Sequence, residues 1–201
     1  MTIHKADTAS LCAVAPSYYQ KVTEAIRLAA LKLLEAGSVT AVIGYLPGRR
    51  KGTASPAVVT GPEQASKLIF SPACVNNLSL HLTRVKKGLL KRGRIAIVVK
   101  GCDLHILAGL IDESRIDRDD ILIIGVACAG VYGGAGLPPP VPLRGGEEET
   151  ALDDSNLARM CRECTVQLPE GTDIVVGALP PFRQYREDDA PPSSGSAEGK
   201  E

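Results

Sequence analysis

The sequence predicts an α/β protein: a single open, mostly parallel sheet flanked by helices, followed by a disordered C-terminal tail. Three observations predict it. Ile95–Val99 and Ile121–Val126 are short, nearly continuous runs of β-branched and Leu residues, the pattern of parallel strands buried on both faces. Between them Leu104, Leu107, Leu110 and Ile111 recur at helical spacing, so residues 94–128 read as a right-handed strand–helix–strand unit. Each strand of that unit ends at a cysteine, Cys102 or Cys128. Ligands of open α/β sheets sit beyond the carboxyl ends of the strands. Cys102 also falls near a helix N-terminus, which favours its thiolate.

Composition bounds what such a sheet serves. A chain of 201 residues with 44% hydrophobic residues can bury one sizeable core. Its 23 basic and 23 acidic residues balance, leaving no electrostatic case for nucleic acid. No run approaches the roughly 18 to 20 apolar residues of a membrane span, and the opening MTIHKADTAS has no apolar signal region. The expectation is a cytoplasmic protein. In a reducing compartment six cysteines are ligands, redox groups or buried apolar residues rather than structural disulfides.

Taken in order, residues 1–16 show no sustained period and are expected to be a flexible lead, with Cys12 incidental to any site. From Ser17 to Ala36, Val22, Ile26, Ala29 or Ala30, Leu33 and Leu34 mark an amphipathic helix closed by Gly37. Val39–Gly44 is the first core strand, the GRRKG turn at 48–52 an exposed basic loop, and Val58–Thr60 a short edge strand. Ser71–Lys91 reads as a second helix, with Val75, Leu78, Leu82, Val85 and Leu89 on one face and Cys74 in its first turn. Its basic end, Arg84 to Arg92, complements the helix dipole and needs no partner. His81 reads as a surface residue of that helix, and His105 lies one turn into the crossover helix.

After Cys128 the composition shifts to Gly and Pro over 129–149, a long loop that begins at the presumed site. Its Gly133-Gly134-Ala135-Gly136 run opens no helix and is not read as a nucleotide site. Asp153-Asp154-Ser155 is expected to cap a short helix ending at Met160, before Cys161-Arg162-Glu163-Cys164. Asp173–Gly177 is the last strand. The α/β domain is thus placed at 17–180, and 181–201 is polar, Pro/Ser/Gly-rich and expected to be disordered.

A Cys-x-x-Cys pair serves zinc, iron–sulfur clusters and dithiol chemistry alike. Here it follows a short helix and precedes a strand, unlike a thioredoxin-type pair. If the long loop folds it over the strand ends, Cys102, Cys128, Cys161 and Cys164 supply four thiolates from three segments. That is the number required by a [4Fe-4S] cluster or a structural zinc. Iron–sulfur, zinc and free thiols stay open on these residues alone, and Cys74 is either a small buried residue or an extra thiol near the site.

The order VIGY after the first helix, KGCD after the second core strand, IIGVAC after the third, then CRECTVQLPEGTDIVVG, resembles the beta subunits of coenzyme F-420-reducing hydrogenases and related formate and other dehydrogenases. The resemblance covers about residues 20–178. In that family a strand ends in a Thr-Pro-Cys turn, the next ends in a cysteine, and a Cys-x-x-Cys precedes an Ala-Asp-Ile-x-x-Gly strand. The matching positions are Cys102, Cys128, Cys161 with Cys164, and Asp173 with Gly177. Lys100-Gly101 replaces the Thr-Pro, as in a divergent branch with KGCD and CVxNL motifs associated with heterodisulfide-reductase-like and hydrogenase-linked proteins. Members of that branch often continue into a ferredoxin-like cysteine-rich region, which this chain does not reach.

The resemblance implies an iron–sulfur electron-transfer subunit of an oxidoreductase complex, with Cys102, Cys128, Cys161 and Cys164 holding a [4Fe-4S] cluster. It further implies a flavin such as FAD, and a partner oxidoreductase subunit or a ferredoxin-like protein. The competing readings are a zinc-stabilised interaction module and a thiol-dependent enzyme using Cys102. Lys100 is either a cation beside a negatively charged cofactor or a strand-end lysine whose head reaches solvent. Gly101 allows close backbone approach to a cofactor, and Asp103 is expected to N-cap the crossover helix. Tyr45 and Tyr132, both expected just past strand ends, are the candidates to stack on a flavin ring.

Overall fold

The structure is a computed structural model that describes residues 16–133, 152 and 156–178. Cys12, most of the Gly/Pro-rich loop and the C-terminal tail lie outside the described residues. Five strands form one sheet in the order β2-β1-β3-β4-β5, where β1 is Ala41–Pro47, β2 Ala54–Val59, β3 Ile95–Val99, β4 Ile121–Val126 and β5 Ile174–Val176. The pairs β1–β3, β3–β4 and β4–β5 are parallel. Strand β2 is antiparallel to β1 and closes one edge. The predicted open, mostly parallel sheet is therefore what forms. Strands β3 and β4 begin and end where their apolar runs do, and every residue of both is buried.

Helix α1, Pro16–Glu35, lays Tyr19, Val22, Ile26 and Ala30 into the core, one stripe at three- and four-residue spacing. Each large side chain of that stripe contributes about 1.5–3 kcal/mol relative to exposure. Gly37 follows with φ +64, a left-handed residue just past the helix end. The crossover helix is α4, Gly101–Asp112, and it buries Leu107 and Leu110.

Four boundaries differ from the sequence reading. Strand β1 runs on to Pro47 because its register with β2, from Val42↔Val59 to Pro47↔Ala54, satisfies its backbone on that side beyond Gly44. Tyr45 is consequently inside a strand rather than past its end. Edge strand β2 is longer than expected and holds Pro56, a residue an edge tolerates. Helix α3 starts only at Leu78 and runs to Leu89, after the four-residue α2, Pro62–Ala65. Asn77 terminates the preceding loop: its Oδ1 accepts the backbone N–H groups of Ser79 (2.9 Å) and Leu80 (3.3 Å), which caps α3. Cys74 and Val75 therefore belong to a loop, with Cys74 buried and Val75 exposed. Finally, α5 spans Arg159–Arg162 with Ala158 at its N-cap, so Cys161 is inside the helix expected to end before it. Among the described residues no helix is long and apolar enough to cross a membrane.

Candidate functional site

Because β3 and β4 are parallel, Lys100-Gly101-Cys102 and Ala127-Cys128 leave the sheet at the same edge. Two features bring the Cys-x-x-Cys segment there. Gly133 N–H donates to Asn156 O (2.9 Å) and Ala158 N–H to Val131 O (2.9 Å), a short antiparallel ladder around the Tyr132↔Leu157 bridge. Past α5, Cys128 N–H donates to Gln167 O at 2.8 Å. A Cβ placed on Gly101 would lie 1.7 Å from Val166 O, so only glycine lets that strand of chain pass. Among the described residues, these backbone bonds are what hold the returning segment. Cys161 comes to rest beside Gly130, whose added Cβ would lie 3.7 Å from Cys161 Cβ.

Three of the thiols act on Cys102 or Cys128. Cys164 and Cys161 act on Cys102, and Cys161 and Cys102 act on Cys128. Burial pushes the Cys102 thiol up to about 11, Asp103 adds to this and Lys100 opposes it. The expected thiolate-favouring effect of the helix N-terminus is therefore overridden: Asp103 Oδ1 lies 3.9 Å from Cys102 Sγ. Burial likewise pushes Cys128 up to about 12 against the pull of Lys100 and the Gly130 N–H. Cys74 rises to about 11 by burial, opposed by the Ser71 N–H, 3.3 Å from its sulfur, and by Lys100. Neutral thiols of this kind bind a metal only by releasing protons.

Lys100 does not reach solvent. It is 3% exposed, and its Nζ donates to Tyr45 Oη (2.6 Å), Cys74 O (2.9 Å) and Asn76 O (2.9 Å) while pairing with Asp103 Oδ2 at 3.2 Å. The ammonium also lies 5.0 Å from the centroid of the Tyr45 ring. Asp103, 1% exposed, is held above the usual carboxylate range by burial, against the attraction of Lys100. Lys100, not Asp103, is the N-cap of α4. Asp103 is its third residue and accepts the Lys100 N–H at 3.4 Å, so it serves the helix start from inside the first turn.

Tyr45 is 1% exposed, its hydroxyl donating to Asn76 O, and burial followed by Asp103 pushes its phenol far above the usual range. Tyr132 is 6% exposed and its N–H donates to Pro72 O (2.8 Å). Neither ring presents a face on which a flavin could stack, so the two tyrosines do not fit that cofactor. Cys102 and Cys128 leave the sheet at one edge, and the chain just past the Cys161–Cys164 pair is tied to the backbone there, but among the described residues no three His, Cys, Asp or Glu side chains stand where a single ion could be held.

Sequence reasoning passed over Tyr18 and Tyr19. The hydroxyl of Tyr18 donates to Ala127 O and that of Tyr19 to Gly130 O (2.9 Å), clasping the backbone on both sides of Cys128. Burial raises the Tyr18 phenol beyond its ordinary range. The available signal was two adjacent tyrosines opening an amphipathic helix in a chain with five.

No family model matches this chain, and no curated protein matches it. Among solved structures it is similar to a chain of the F420-reducing [NiFe] hydrogenase complex from Methanosarcina barkeri, with 15% identity and a TM-score of 0.45. The match covers 60% of this chain and 43% of that one, so this chain spans less than half the length of its structural neighbour.

Proposed function

We propose that this protein is an iron–sulfur electron-transfer subunit of an oxidoreductase complex, a divergent relative of the coenzyme F-420-reducing hydrogenase beta subunits that works in the cytoplasm. One observation supports the reading: Cys102 and Cys128 leave the parallel sheet at its carboxyl edge, and the chain just past the Cys-x-x-Cys pair is tied there by Cys128 N–H to Gln167 O. Cys102, Cys128, Cys161 and Cys164 are the ligands. The cluster, when bound, supplies one-electron chemistry. The chain's own contribution is to hold the ligands, to shield Cys128 from water and to set the charge around them. A partner oxidoreductase subunit or ferredoxin-like protein exchanges electrons with it.

Anaerobic reconstitution with iron and sulfide tests the reading. About four irons and four sulfides per chain, reduced by Ser substitution at any one of the four cysteines but not at Cys12, is the expected result. About one zinc per chain with no iron retained would point to a closed structural site instead and overturn it.

A further inference from the structure

We draw no further inference here: the strongest candidate, the surface run of exposed apolar residues Met160, Val166, Leu168 and Val175 from α5 to the edge strand β5, carries none because nothing in the structure shows what covers it.

Discussion

Gly101 lies directly under the carbonyl of Val166: a Cβ there would meet that oxygen at 1.7 Å. One hydrogen in place of a methyl group is what allows the chain after Cys164 to pass the N-terminus of α4.

Gly101→Ala should therefore push the 161–167 segment off the sheet edge, lowering iron uptake and costing roughly 1–3 kcal/mol through overpacking. Gly109, in the same helix, has nothing within 4 Å of its added Cβ. Gly109→Ala should stabilise by about 0.5–1 kcal/mol through helix propensity. Urea denaturation of the two variants, with iron counted after reconstitution, checks both signs at once.

Tyr45→Phe leaves the Lys100 ammonium without its shortest acceptor, at 2.6 Å, and the Asn76 carbonyl without the tyrosine donor. The expected loss is about 1–3 kcal/mol of stability, the scale for a hydrogen bond to a buried charge. A variant as stable as wild type in chemical denaturation would show that the hydroxyl is dispensable to the ion pair.

Asp173 ties β5 to β4: its Oδ2 accepts Ile123 N–H at 2.7 Å and its Oδ1 accepts from Arg118 at 2.9 Å. Burial, the largest single influence, raises its pKa, but these bonds and the charges of Arg118 and Arg94 together outweigh it, so the net shift is downward. A depressed carboxyl contributes stability that is present above the unfolded value, about 3.9, and is lost as pH falls through the lower folded value. Because the pair is partly exposed, Asp173→Asn should cost only about 1 kcal/mol at pH 7. The gap between variant and wild type should close as the pH drops below about 4. Stability measured across pH 2–7 reads this directly.

Iodoacetamide distinguishes the thiols of the apo chain. Cys102 is exposed and Cys74 buried. Burial pushes both thiols up to about 11, so at pH 8 access decides: Cys102 should be labelled well before Cys74, whose labelling awaits opening of the 71–77 loop. Peptide mass spectrometry over a time course gives the order, and Cys74 reacting first would contradict the burial described above.

The interior of the fold was legible because its signals are local. The apolar runs of β3 and β4, buried on both faces, bound themselves, and the 3.6-residue stripe of α1 needs no partner to be read. The start of α3 was misplaced because Val75 continues a helical spacing that the Asn77 cap interrupts. That Cys102 and Cys128 leave the sheet at one edge could be anticipated from strand ends and order. The fate of Lys100 could not, since whether a strand-end lysine turns outward or inward depends on Cys74 O, Asn76 O and Tyr45 Oη, contributed by segments distant in sequence. The tyrosine clasp of Cys128 was hidden for the same reason: Tyr18 and Ala127 are 109 residues apart.

The ladder from Gly133 to Asn156 and from Val131 to Ala158 has an architectural consequence. Whatever sequence runs between its two rungs leaves and re-enters the domain at adjacent points, so the entropy of closing that excursion varies only slowly with its length. Leu152 is buried in the core as well, so the returning chain is fixed shortly before it reaches the ladder, and the placement of the Cys-x-x-Cys pair is set by residues on the domain's own surface.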